Sequence, residues 1–343
     1  MTHRKDNSYK HTLLLLLEMD LKTKAKLISI GTIELPKIKI PSGPVSTAGP
    51  GAGEKNVFFS SGKRRVRLGI MEDSPLKLKE LAGNEVAIIE KGKEIARGHL
   101  EAPLIHCPEQ AYITVSERCI YDCKFCAVPK LSGGVKSLDQ VVEMIKQANA
   151  KGQLKAISLT SGVEKNPQEE VTRVAEVVRA VRHFGVPIGV SVTPAPRSSE
   201  ILKLAGANEI KYNVECLDPE VFKKVCPGVS LDHIKAALKD AVDHFGRNKV
   251  ISNVIVGLGE SDKVLREGID ELAEMGVLPN LRAVYPHPLR KGETNMNRPS
   301  AESLLSLAQY TRKALDKHGL RGDRSVTMCY FCTGCDLIPH RDL

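Results

Sequence analysis

The sequence predicts an α/β protein: a partial parallel (βα)6 TIM-like barrel with a β-rich N-terminal extension and a cysteine-rich C-terminal tail. Three observations carry this. From Ala111 onward, short apolar runs alternate with amphipathic helical stretches about six times. Before that point the runs are strand-like, with no helical patterns between them. Near the end, MCYFCTGC (Met328 to Cys335) spaces three cysteines at two-residue intervals. Alternating strands and helices imply parallel pairing with right-handed crossovers. A flat doubly wound sheet is the alternative, and in either case function gathers at the carboxyl ends of the strands.

The elements follow in chain order. Residues 1–18 read as a mis-started or loosely ordered extension, because Met19 opens MDLKTKAKLISIG, a sensible start. Its run Leu13–Glu18 is too short to span a bilayer and lacks a small-residue cleavage site. Residues 19–104 form a β-rich region, with strands at LISIGTIEL, NVFFS, RRVRLGI and VAIIEKGKEIARGHL. Lys91-Gly92 marks a hairpin turn. The basic run Gly62–Arg67 reads as an edge strand with one charged face. The loop Pro41–Gly53 resembles a phosphate cradle only superficially, since Glu54 intervenes and Asn56 follows Lys55. It reads as a loop laid close to a buried site.

Residues 105–322 form the barrel, with strands at YITVSE, AISLT, IGVSVT, IKYNVE, VISNVIVG and LRAVYP. Ser137 with Gln140 and Asn166-Pro167 with Glu169 signal capping boxes. Gly185, Gly246 and Gly276 stand where helices stop. Residues 323–343 form the tail.

Composition narrows the function. The 343 residues are 27% charged and 42% hydrophobic, ordinary for a globular protein. With no Trp and 4% aromatics, a stacking platform for nucleic acid is not expected. No membrane partner is expected either. The net charge of +9 suits an acidic protein partner, or is simply solvated. Nine cysteines without a secretion signal point to a reducing, cytoplasmic setting, where clustered thiols mean metal or redox chemistry.

SERCIYDCKFCAVP holds Cys119, Cys123 and Cys126 directly after the first barrel strand. Three thiolates on one loop ligate three irons of a cubane and leave the fourth open. Zinc is the alternative, but no fourth ligand lies nearby on the chain. CIYDCKFC resembles the signature of the radical S-adenosylmethionine (SAM) enzymes. The resemblance implies a [4Fe–4S] cluster on the three cysteines, S-adenosylmethionine on its open iron, and Phe125 as the aromatic before the last ligand. Further resemblances place Ser161 and Gly162 of LTSG near the methionine amino group. They also place Asn213 and Glu215 of YNVE near the ribose, and Gly257, Gly259 and Glu260 of VIVGLGES along the adenine. Each of these is otherwise a strand-terminal turn. The resemblance covers roughly residues 103–320 and looks most like the biotin synthase and lipoyl synthase branch.

The tail triplet Cys329, Cys332 and Cys335 suits an auxiliary [4Fe–4S] cluster wrapped in a loop. Its alternatives are a zinc knot or loose thiols. Cys107 of HCPEQ is the first choice for a fourth ligand, ahead of Ser60, Ser61 or the substrate. Cys216 and Cys226 read as buried packing residues. Arg282, Tyr285 and His287 are candidates to line the cavity or to pack. STAGPGAG…VFF, HCPEQAYI and the CxxCxxC tail resemble a subunit of the archaeal two-component lipoyl synthases. The tail departs from biotin synthases, whose second cluster has its ligands inside the barrel. The resemblance implies sulfur insertion from the auxiliary cluster into an octanoyl chain on a lysine of a lipoyl or glycine-cleavage carrier protein. A paralogous radical SAM subunit and an electron donor such as ferredoxin are implied with it. The alternatives are a biotin synthase-like or cofactor-maturation enzyme acting on a small molecule, and a non-enzymatic zinc-binding protein.

Overall fold

The computed structural model describes residues 18–36 and 52–343. Residues 1–17, with most of the Leu13–Glu18 run, and nearly all of the Pro41–Gly53 loop lie outside the described residues.

The first described element corrects an expectation. LKTKAKLISI is a helix, α1 (Leu21–Ile30). Asp20 caps it by accepting from the Thr23 N–H at 2.7 Å. Gly31, at φ 75°, ends it with its own N–H on the Leu27 carbonyl. Ala25, Leu27 and Ile28 are buried, so packing and two good caps outweigh the β-branched content of LISIG. Only Thr32–Ile33 (β1) of that stretch is extended.

A six-stranded sheet follows, built from β1, β2 (Asn56–Ser61), β3 (Arg64–Ile70), β4 (Leu76–Glu80), β5 (Val86–Glu90) and β6 (Lys93–Glu101). The order is β1-β3-β2-β6-β5-β4. β1 runs parallel to β3, and every other pairing is antiparallel. Lys91 (φ 48°) and Gly92 (φ 77°) turn β5 into β6, as predicted. The basic strand β3 is not an edge, because it lies between β1 and β2.

The second sheet is all parallel, in the order β12-β11-β10-β9-β8-β7. Its strands and helices alternate: β7 (Gln110–Thr114), α2 (Leu138–Ala150), β8 (Ala156–Thr160), α3 (Pro167–Val181), β9 (Ile188–Ser191), α4 (Ser198–Ala205), β10 (Glu209–Lys211), α5 (Pro219–Val225), α6 (Leu231–Phe245), β11 (Val250–Val256), α7 (Asp262–Met275) and β12 (Leu278–Ala283). The Ser137–Gln140 capping box is complete. Asn166 caps α3, but Glu169 takes the Asn166 side-chain amide rather than its backbone N–H, so that box is half formed. β7, β9 and β11 are buried at every position, as parallel strands covered on both faces should be.

After α8 (Ala301–Lys317) the chain turns back to the amino ends of these strands. Glu209, first in β10 and fully buried, accepts from Ser325 Oγ, the Val326 N–H and the Thr327 N–H at 2.9–3.0 Å. Gln110, first in β7, accepts the Met328 N–H at 2.8 Å and donates to the Met328 carbonyl at 3.0 Å. Gly189 of β9 leaves no room for a Cβ against the Thr327 side chain. The short helix α9 (Met328–Cys332) thus corks the lumen from the amino end.

The N-terminal sheet grips the same segment. The Arg67 N–H bonds the Gly334 carbonyl at 2.7 Å. Arg64 reaches the Asp342 carbonyl, and Lys24 of α1 reaches both Asp342 carboxylate oxygens.

Candidate active site

The loop after β7 is tacked down along its length. The Gly162 N–H bonds the Ser116 carbonyl at 2.9 Å, and Ile120 and Lys124 donate to the Val163 and Val225 carbonyls at 2.7 and 2.8 Å. A Cβ on Gly162 would collide with the Arg118 carbonyl oxygen, so the close approach requires glycine. Arg290, whose side chain is fully buried, donates to the Cys126 carbonyl at 2.7 Å and pairs with Asp122 and Glu293. PLRKG gives no hint of that role in the sequence.

This loop turns Cys119, Cys123 and Cys126 into a cavity of about 190 Å³ at the carboxyl ends of the strands. Ser161, Gly162, Asn213 and Glu215 line it too. Phe125 is buried between this cavity and its neighbour. Burial raises the Cys119 thiol and pushes Cys126 up to about 12. Glu215, at φ 56°, is pushed up to about 7 by burial, against the pull of Lys211. Gly257, Gly259 and Glu260 stand at the end of β11 but do not line either cavity. Glu260 faces Cys216 instead, and burial raises its carboxyl.

The tail thiols face a second cavity of about 200 Å³, lined by Cys107, Cys329, Cys332 and Cys335. Cys126, Phe125, Asn213 and Glu215 line both cavities, so one lumen joins the two thiol sets. The Cys107 and Cys332 thiols face each other, and their interaction lowers the Cys332 thiol to about 7 while raising that of Cys107. Arg65 and Arg282 favour charge on Cys332 further. Arg282 lies 3.3 Å from Cys329 Sγ and pairs with Asp336 at 2.7 Å. Lys211 lies 3.6 Å from the same sulfur.

The other candidates separate clearly. Ser61 bonds the Met19 N–H and the Arg97 carbonyl, and neither Ser60 nor Ser61 lines the cavity. Arg282 and Tyr285 line it. His287 is buried and bonded to the Ala52 carbonyl and the Leu289 N–H, a packing role. Cys216 is buried outside both cavities. Cys226 does more than pack: it lines the first cavity and contacts Cys123.

Among the described residues, no three His, Cys, Asp or Glu side chains converge on a point fit for a single metal ion. A cubane asks for something else, one thiolate per iron spread around the cluster. Three thiols on one loop beside an enclosed cavity fit that demand with one iron open, and four thiols beside cations fit it at the tail. Carboxyl-end geometry was expected for all the chemistry. The first set obeys it, while the second enters from the amino end on α9. No described helix is long and apolar enough to cross a membrane.

Residues 113–275 match the radical SAM superfamily model. The matched stretch runs from β7 through α7, so the barrel carries a radical SAM domain. It is 20% identical to the GTP 3′,8-cyclase of Petrotoga mobilis over 61% of this chain and 64% of that protein. It is 24% identical to the lipoyl synthase of Mycolicibacterium gilvum over 49% of this chain and 54% of that one. Among solved structures, the FeFe-hydrogenase maturase HydG from Carboxydothermus hydrogenoformans superposes with a TM-score of 0.52. It is 20% identical, covering 61% of this chain and 52% of that one. The chain spans less than two thirds of each of these relatives, which share its barrel and differ in what they are named for.

Proposed function

We propose that this chain is a radical SAM sulfurtransferase, a lipoyl synthase-type enzyme that forms one of two C–S bonds on an octanoyl chain carried by a protein lysine. One observation carries the reading: Cys107, Cys329, Cys332 and Cys335 open on the same lumen as Cys126. Cys119, Cys123 and Cys126 would hold the [4Fe–4S] cluster and S-adenosylmethionine, and the four lumen thiols an auxiliary [4Fe–4S] cluster. Bound, the first supplies hydrogen abstraction from an unactivated C–H bond, and the second supplies sulfide.

The chain's own residues do the rest. Arg282 and Lys211 stabilise negative charge at Cys329. Asn213 and Glu215 stand between the two sets, and α9 and the N-terminal sheet hold the tail at the amino end of the strands. A net charge of +9 suits docking of an acidic carrier domain. A paralogous subunit would make the other bond, a ferredoxin-type donor would supply electrons, and a reducing cytoplasm would keep the thiols free.

The test is iron and sulfide per chain, measured anaerobically, in a variant with Cys119, Cys123 and Cys126 all changed to Ala. About four irons should remain, and wild type should add sulfur mass to an octanoyl-lysyl peptide. Loss of all iron, or no sulfur in the product, refutes the reading. The polar lining by His106, Lys211, Asn253 and Arg282 favours a second one, a small polar substrate with the tail thiols serving electron transfer. That reading predicts retained iron without sulfur gain.

A further inference from the structure

The cations around the second thiol set are mostly committed. Arg282 spans Asp336 and Cys329, and Lys211 lies against Cys329. Arg65 is held by Glu101, Glu109 and the Cys332 carbonyl. Arg298 is engaged by the carbonyls of Ile28, Ser29 and Val284. Arg67 differs. Its backbone is fixed on β3 by the bond to Gly334, and it lines the second cavity, beside the tail thiols. Among the described residues nothing accepts a hydrogen bond from its guanidinium, and its Nε is out of water without a partner. Its charge is felt at His106, Tyr285 and Cys335, around the space between the two thiol sets.

A guanidinium Nε shut off from water without an acceptor is costly unless something brings an oxygen to it. Its fork matches a carboxylate through two parallel N–H bonds, or an amide carbonyl through one or two. Resting on the two-cluster reading above, we propose that Arg67 anchors the carbonyl or carboxylate oxygen of an acyl substrate, with the alkyl chain running on toward Phe125. Arg67 is then a substrate-binding residue and no part of the cluster's support.

The experiment uses anaerobic holoprotein and equilibrium dialysis with two probes, an Nε-octanoyl-lysyl peptide and sodium octanoate. Wild type should bind at least one. Arg67→Gln should weaken that binding about tenfold or more. Arg67→Lys should recover part of it, and iron and sulfide per chain should stay unchanged in both. A larger loss for the peptide identifies a carrier-bound amide, and a larger loss for octanoate a free acid. The proposal is overturned if wild type binds neither probe, or if Arg67→Gln binds both as wild type does. It is also overturned if affinity falls only along with lost iron, which would make Arg67 a support of the cluster. Failure of the sulfur-insertion reading shows separately, as lost iron in the triple-alanine variant or product without sulfur, and leaves Arg67's acyl affinity measurable.

Discussion

Lys24→Met removes one amine from three acceptors and leaves the Asp342 carboxylate buried without its cation. Lys24 Nζ lies 2.7 Å from the Thr333 carbonyl and 2.7 Å from each oxygen of Asp342. The lysine side chain is 0% exposed and the aspartate 3%. Methionine keeps most of the packing volume, so the loss isolates the charge. Breaking a buried pair by deleting one partner costs about 3–5 kcal/mol, because the other charge stays buried and unpaired. That energy should act locally, because Thr333 lies between Cys332 and Cys335. Hydrogen exchange of the tail amides should then speed up by roughly two to four powers of ten, while the barrel strands keep their protection. Iron per chain should fall by about half as the second set loses its shape. Adding Asp342→Asn removes the stranded charge and keeps the acceptor for the Ile338 N–H, so the double variant should regain at least ~1–2 kcal/mol. A single variant that loses less than ~1 kcal/mol, or a double variant no better than the single, refutes the reasoning.

Three further outcomes follow from the same geometry. Glu209→Ala leaves two backbone N–H groups and the hydroxyl of Ser325 without their acceptor; limited proteolysis should cut near Ser325 while barrel fragments survive. Gly162→Ala forces a Cβ onto the Arg118 carbonyl, and the reconstituted protein should lose the absorbance of the first cluster while keeping that of the second. Glu215 has its folded pKa raised to about 7 by burial, so the folded state holds a proton that the unfolded chain has lost. Its burial penalty is absent below pH ~4.5, grows as pH rises and is complete above pH ~7. Glu215→Gln should therefore stabilise the cluster-free protein by up to about 3 kcal/mol above pH 7 and by nothing below pH ~4.5, as read by urea unfolding.

The barrel was legible because its signals are local. Ser137 with Gln140, Asn166 ahead of Pro167, and the glycines after α6 and α7 act within a few residues of themselves. The CxxxCxxC loop was legible for the same reason. α1 was not, because LISIGTIEL is apolar and β-branched, and the caps at Asp20 and Gly31 with the packing of Ala25, Leu27 and Ile28 decide against a strand. The basic run on β3 reads as an edge strand with one charged face, yet it is an inner strand. Its partners Glu101, Glu109, Cys332 and Asp342 lie far away in sequence, and no periodicity reports them. Arg290, Glu209 and Gln110 escaped for that reason. The tail spacing announced a second thiol set but carried nothing about which end of the barrel it would enter.

The cork has a kinetic consequence. Gln110 meets Met328 across 218 residues, and Lys24 meets Asp342 across 318. Contacts of such separation form last, because loop closure must come before they contribute anything. Cys107 therefore meets Cys329, Cys332 and Cys335 only after sheet and barrel have both consolidated. The loop of Cys119, Cys123 and Cys126 closes over shorter spans, such as the 164 residues between Cys126 and Arg290. Refolding should yield a species competent for one site well before the other, so that the second site reports on completion of the whole fold.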